Sequence, residues 1–409
     1  MQDLTTYAGL LKTLYSKKKI ENIALNEHPF LDMLKRDESA SGDYTKQPVI
    51  YSNSASFSNT FSQTKTNAGN ASTKSAGFLL QMKDSFGMCT VSDKVIQASR
   101  NDEGAFIKAF KTEVDGMLYD VKAGLAANLY RSGFGELGRV SSPGASTTLT
   151  LQTPEDALNF AVDQVIVFAA SIDSDALRDS GASLTIEGVN YSAGTLTVSG
   201  NVTSISGITD GDYIFLKGTR ENSATPTPIQ MYGLEAWIPA SAPSSASFNG
   251  VDRSVSSLLY GQSLDASAMS IEQALIEAAS KVYQVRGKLT HFFLNTNKFQ
   301  ELVNALGTKV QYVNVKDGKG VDVGFQGVRI ACGGKPIDVV MDPDCPNNRC
   351  FGVNLPMWTL WSMGPVASIY DRDGNISLRQ ADDAGVEIRS YTYSQLGCAA
   401  PSHNINIQF

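Results

Sequence analysis

Residues 62–77 contain no large apolar side chain, yet strand-like runs flank them on both sides. The first run, residues 44–61, holds Pro48, Val49, Ile50 and Tyr51. The second, residues 78–91, places Phe78, Leu80, Met82, Phe86, Met88 and Val91 in mainly alternating positions, the period of a strand. A tip without apolar residues cannot build a core, so it must project. A strand of about a dozen residues reaches roughly 40 Å, at about 3.3 Å per residue. A two-stranded ribbon of that length is marginal by itself in water. Residues 43–95 therefore predict an extended β-hairpin loop that a neighbouring chain supports, and Phe61, Lys65, Lys74 and Phe78 are the residues expected to meet that neighbour.

A long helix is predicted next, over residues 101–132. Phe106, Ile107, Phe110, Val114, Met117, Leu118, Val121, Leu125 and Leu129 recur at steps of three and four. Asn101 can cap its start and Gly133 can end it. About thirty residues at roughly 1.5 Å each make a rod of some 45 Å. One apolar stripe on such a rod implies packing on a sheet or on neighbours. Gly104, Gly116 and Gly124 each cost about 1 kcal/mol relative to Ala, and either close packing or bending would account for them. Ahead of the hairpin, residues 1–42 read as an arm. It has a short helix (Leu4, Leu10, Leu11, Leu14), a solvated run Lys17-Lys18-Lys19 and an apolar cluster over His28–Leu34.

The chain changes character at residue 141. Short β-type runs at 149–151, 165–168, 184–186, 195–198 and 213–216 alternate with Gly, Asp, Asn and Ser, which predicts a small sandwich or barrel. Residues 141–220 carry nine acidic and three basic side chains, a balance of −6, while the rest of the chain carries 32 acidic and 31 basic. An inserted β-rich domain over 141–222 is the reading. A connector over 223–254, with Pro226, Pro228, Pro239 and Pro243, leads into an α/β pattern at 255–375. There Ser270-Ile271-Glu272-Gln273 has the form of a capping box, and the helix behind it carries Leu275, Ile276, Ala279, Val282 and Tyr283. A strand at 289–294, a second helix with Phe299, Leu302, Val303 and Leu306, and further strands follow. Asp371-Arg372-Asp373-Gly374-Asn375 between two β-like runs signals a hairpin. Residues 386–392 and 405–409 are again β-like and are assigned, within 376–409, to the domain of the long helix at 96–140.

Composition narrows the function. A chain of 409 residues is too long for one ordinary core. A net charge of −7 argues against coating nucleic acid by phosphate neutralisation. No apolar run reaches the length of a membrane span, and Met1–Leu10 shows no export signal. The three histidines, His28, His291 and His403, are far apart, and none has a second ligand at metal spacing. His291, beside Phe292 and Phe293, reads as a core or edge residue. Cys345 and Cys350 lack the two further ligands zinc needs and read as unpaired thiols, although a disulfide between them is geometrically possible. Asp371–Gly374 fails calcium-loop spacing, residues 318–324 fail the dinucleotide fingerprint, and Gly333-Gly334-Lys335-Pro336 ends in Pro where a phosphate loop needs Ser or Thr. No catalytic, cofactor or metal site is predicted.

The order of arm, projecting hairpin, long helix, inserted β-domain, α/β domain and terminal β return resembles the major capsid protein of tailed bacteriophages, with its Hong Kong 97 type α+β fold. Local wording agrees: Gly211-Asp212-Tyr213-Ile214-Phe215, Met231-Tyr232-Gly233-Leu234-Glu235-Ala236-Trp237-Ile238-Pro239 and Phe248-Asn249-Gly250-Val251-Asp252-Arg253. The resemblance implies an extended loop over an adjacent subunit, a peripheral domain with a spine helix, and an axial domain gathering at five- and six-fold positions. It implies hexamers and pentamers in an icosahedral shell around double-stranded DNA, in a virion assembled in the host cytoplasm. Portal and scaffolding proteins, and optionally a decoration protein, are the implied partners, with no membrane. One branch of the family crosslinks a loop Lys to a neighbour's Asn. Lys65 and Lys74 lie in the expected region, but neither the Asn nor the assisting Glu can be matched, so no crosslinking is expected. The family's long N-terminal scaffolding segment is not seen, which implies a separate scaffolding protein or a mature form. The alternatives are a bacterial nanocompartment shell of the same fold, a hydrolase with a β-rich accessory domain, and a surface-layer or adhesin protein. The scarcity of histidine weighs against the hydrolase and the lack of an export signal against the surface protein.

Overall fold

The computed structural model describes residues 28–92, 103–243, 247–306, 328–332, 335–371, 374–380 and 385–409. The predicted helix and lysine run at residues 4–19, the cap at Asn101 and the glycine-rich stretch 318–324 lie outside the described residues. The chain forms two compact units. One takes Met1–Ala40, Met82–Gly233 and Trp361–Gln395, and the other takes Ser41–Gln81, Leu234–Leu360 and Leu396–Phe409.

The first unit is built on the long helix Glu103–Tyr130. Val114, Met117, Leu118, Val121 and Leu125 pack against Cys89, Val91 and Ile388 of a six-stranded sheet. The strand Lys83–Ser92 runs antiparallel to the long strand Gly385–Cys398, with Ser92 opposite Gly385 and Lys83 opposite Ser394. Gly87 lets the helix lie close, because a Cβ there would sit 2.4 Å from Val121. Gly116 and Gly124 have nothing within 4 Å of an added Cβ, so neither marks a close contact in the chain itself. Gly233 does. A Cβ there would lie 2.2 Å from the Asn128 carbonyl, which seats the Met231–Gly233 turn on the last turn of the helix.

The same unit carries a closed six-stranded antiparallel barrel. Its strands run Tyr213–Leu216, Glu136–Ser141, Thr148–Leu151, Thr195–Val198, Leu184–Asn190 and Val165–Ala169, each bonded to the next and the last to the first. Its interior is apolar: Val140, Leu149, Leu151, Ile166, Phe168, Ile186, Leu196, Val198 and Ile214 are buried together. Five of the six strands coincide with the β-type runs of the sequence. The sixth, Glu136–Ser141, starts ahead of residue 141, where Gly138 and Arg139 interrupt the apolar run. Asp212 is tied into the barrel wall, accepting from Arg178 Nε and Nη2 at 2.8 Å and from Thr209 N and Oγ1.

The second unit holds a six-stranded mixed sheet in the order Gln262–Asp265, Ile405–Gln408, Arg349–Val353, His291–Leu294, Lys335–Met341, Val328–Cys332. The helices Ile271–Gln284 and Thr296–Leu306 cover it, with Ile271, Ala274, Leu275, Ala278, Ala279, Val282 and Leu302 in the shared core. Ser270 caps the first helix, its Oγ accepting from Gln273 N at 3.4 Å.

Three expectations are corrected. The second hairpin arm is not one strand: Lys74–Leu80 pairs with Thr45–Ser52, and Lys83–Ser92 joins the other unit's sheet. Alternation continues in register across the break at Gln81, so the sequence shows no seam. The β-like runs around Asp371–Asn375 do not pair with each other; Ser368–Ile369 and Leu378–Arg379 both pair with the long strand 385–398. The final strand, Ile405–Gln408, belongs to the second unit's sheet, between Gln262–Asp265 and Arg349–Val353, and not with the long helix. Period-two patterning says that a strand exists but not which sheet receives it.

Candidate intersubunit surface

The hairpin Thr45–Ser52 and Lys74–Leu80 is an isolated two-stranded sheet. Its tip is a helix, Phe61–Asn70, with no buried residue. Apolar periodicity could not reveal this helix, because it has none. What holds it is local: Thr64 N donates to the Thr60 carbonyl at 3.0 Å, Ala71 N to the Asn67 carbonyl at 2.9 Å, and Gln63 bonds Asn67 one turn on at 2.8 Å. Phe57 is 88% and Phe61 86% exposed, with Tyr44 and Ile50 also outward. Two phenylalanines displayed in water at the end of a ribbon mark a surface made to be covered.

The root of the hairpin is the opposite. Phe78 is fully buried, its ring centroid 4.9 Å from Trp237 and 6.2 Å from Phe248. Trp237 also meets Phe248 at 5.0 Å and Trp358 at 6.2 Å, all edge to face. Each indole N–H is satisfied: Trp237 Nε1 donates to the Leu396 carbonyl at 3.1 Å and Trp358 Nε1 to Asn404 Oδ1 at 2.9 Å. The Arg253 guanidinium lies 4.1 Å over the Phe248 ring and donates to the Ala236 carbonyl at 2.7 Å. Arg349 and Glu235 form a half-buried ion pair at 2.8 Å behind this cluster. Leu79 N donates to the Asn249 carbonyl at 2.8 Å, which clips the hairpin to the Phe248–Val251 turn. Burying one such ring is worth about 1.5–3 kcal/mol, with roughly 0.5–1.5 kcal/mol more per aromatic pair. The root is rigid, and it aims the tip.

Of the four predicted contact residues, Phe61 and Lys65 lie on the exposed tip helix and Lys74 is exposed at the start of the returning strand, opposite Ser52. Phe78 is corrected: it is an anchor inside its own unit. Its partners stand about 160 residues away, so the sequence around it looks like exposed arm. The anchor itself was missed as a site, although Trp237, Phe248 and Arg253 are the residues that carry the family wording.

A second exposed apolar patch lies on the first unit's sheet, where Phe86 and Met88 stand outward. Phe86 meets Tyr393 at 6.1 Å, and Tyr393 meets Tyr391 at 5.6 Å. Burial pushes the Cys89 thiol up to about 11 and Cys398 up to about 12, and pushes Cys350 well up too, so these thiols stay protonated at neutral pH. Cys345 is a buried thiol outside any disulfide, its Sγ 3.6 Å from the Phe293 carbonyl. Among the described residues no group of His, Cys, Asp and Glu could hold a metal ion, and no helix is long and apolar enough to cross a membrane.

Comparison with known proteins agrees with this architecture. Residues 208–371 match the SU10 major capsid protein family model, a span that includes the Trp237–Arg253 anchor and most of the α/β unit. No curated protein matches the chain. Among solved structures, the chain is similar to the cyanophage A-1(L) capsid asymmetric unit, at 12% identity and a TM-score of 0.51, over 93% of this chain and 92% of that one. It is also similar to a chain of Mycobacterium phage Ogopogo (9% identity, TM-score 0.44, 93% and 92% covered). A third is the SrpI encapsulin complex of Synechococcus elongatus (7% identity, TM-score 0.42, 93% and 87% covered). The cyanophage likeness gives the fold, which is the Hong Kong 97 type capsid fold. The family match lies within a chain of that fold.

Proposed function

We propose that copies of this chain assemble as hexamers and pentamers into an icosahedral shell that encloses double-stranded DNA. The observation that carries this reading, the major capsid protein of a tailed bacteriophage, is the family match at residues 208–371 on a chain of which 93% is covered by a capsid fold. The exposed hairpin tip on a rigid root supports it, since a monomer gains nothing from two phenylalanines held in water. Phe61, Lys65 and Lys74 contact the adjacent subunit. No catalytic residue and no cofactor takes part. The inserted barrel, with its −6 balance, faces the outside of the shell. On the inner face it would repel packed DNA within a Debye length, roughly 8 Å at physiological salt. The near-neutral remainder forms a wall that confines DNA without gripping it. The capsid belongs to a virion built in the host cytoplasm, with portal and scaffolding proteins as partners and room for a decoration protein outside. Electron microscopy and sedimentation of the purified protein test the reading. Capsomers or megadalton particles are expected; a compact monomer at every concentration would contradict it.

A further inference from the structure

The barrel has its own uncovered apolar rim. Leu158, Val162 and Tyr191 are each more than half exposed. Backbone contacts tie the segments that carry them to one another. The turn that carries Tyr191 packs through Gly194 on Pro154, at the start of the short helix 154–159 that bears Leu158. Asp163 N donates to the Ile186 carbonyl at 2.8 Å, which brings the Val162–Asp163 turn beside Glu187. Glu155, Asp163 and Glu187 lie in these same segments, and no basic residue stands between 141 and 177 or between 179 and 216.

The hairpin is the mirror of this surface. Residues 44–82 hold three lysines, Lys46, Lys65 and Lys74, and no acidic residue. Lys65 follows Phe61 by four positions on the tip helix, so the cation and the exposed ring share one face. The chain therefore displays two apolar patches, one ringed by cations and one by anions, in a molecule otherwise close to neutral. We propose that the hairpin tip of one copy docks on the barrel rim of the next, Phe57 and Phe61 covering Leu158 and Val162 while Lys65 and Lys74 face Asp163 and Glu187. The inference rests on the shell reading and deepens it by naming the surface that receives the tip. The Phe86–Met88 patch offers the lysines less, because Arg389 beside it is paired with Glu387 and Asp84 is the acidic residue left on that strand face. A tip-to-rim contact is head to tail, the kind that builds a ring where its rotation closes, and it should weaken as the Debye length shrinks from about 10 Å at 0.1 M salt to about 3 Å at 1 M.

The head-to-tail geometry gives the test. One variant reverses the tip (Lys65→Glu with Lys74→Glu) and another reverses the rim (Asp163→Lys with Glu187→Lys). Each alone sets like charges together, and capsomer yield should fall about tenfold or more relative to wild type. Mixed in equal amounts they can alternate around a ring, every tip meeting an opposite rim, and assembly should return. Wild-type yield from both single variants would overturn the proposal. So would a mixture that stays unassembled while all four reversals in one chain assemble, since the contact would then lie within a chain. Failure of the wild type to assemble would instead remove the shell reading. In case a reversed chain does not fold, oxidation of assembled particles carrying Lys65→Cys with Glu187→Cys should give interchain dimers and ladders. Ladders from Lys65→Cys with Met88→Cys alone would place the tip on the sheet and overturn the proposal.

Discussion

The barrel and the hairpin are both appendages, and they solve the problem of stability in opposite ways. The barrel closes its sheet, so no strand edge is left open, and it buries an apolar interior of its own. The hairpin has two strands, a helix with nothing buried and two displayed phenylalanines. Its stability is borrowed, from the aromatic anchor at its root and, in the proposed shell, from a neighbour at its tip. The difference is one of self-sufficiency: the barrel has a core of its own, and the hairpin has none.

The comparison breaks most visibly by excision. A fragment of residues 134–221 should fold by itself with one cooperative thermal transition, because its terminal strands, Glu136–Ser141 and Tyr213–Leu216, pair with each other. A fragment of residues 43–82 should show no transition; circular dichroism melts decide both. Next in size is Phe78→Ala, which empties the root beneath Trp237 and should cost about 3–5 kcal/mol in urea unfolding of the intact monomer. A smaller effect distinguishes the units by pH. Burial lowers the pKa of His291, opposed by Asp338, and of His403, reinforced by Lys288. The unfolded chain then takes up protons first, so stability in the second unit is full above pH 6.5 and is lost as the pH falls below it. In the barrel, burial would raise Asp212, but the bonds from Arg178 and Thr209 outweigh it and hold the carboxyl below its ordinary 3.8. That contribution persists until the pH drops under 3.8. Melting at pH 7 and pH 5 should therefore show the second unit less stable at pH 5, and His291→Gln with His403→Gln should remove that loss. The smallest effect sharpens the contrast: Phe57→Ser with Phe61→Ser should move monomer stability by no more than about 0.5 kcal/mol, while particle yield drops.

Much of this was legible in the residues. The stripe from Val114 to Leu129 marked the long helix, since every third or fourth residue had to face one sheet. The turn-rich acidic module marked the barrel. What stayed hidden follows from range. Phe78 needs Trp237 and Phe248 to become a core residue, and nothing within ten positions of it says so. Ile405–Gln408 alternates as well as any strand, but its pairing partners, Gln262–Asp265 and Arg349–Val353, lie more than 140 and 50 residues upstream in register. The tip helix carries no apolar period at all, so only its local hydrogen bonds could have announced it. The family wording pointed at the anchor without saying what it anchored.

Hydrogen exchange of residues 53–74, measured in the isolated monomer and again in assembled particles, tests the central claim most directly. The account predicts fast exchange of these amides in the monomer and strong protection in the particle, with the barrel amides at 165–169 and 213–216 protected equally in both. Tip amides that exchange alike in monomer and particle would contradict it, because the hairpin would then owe nothing to a neighbour.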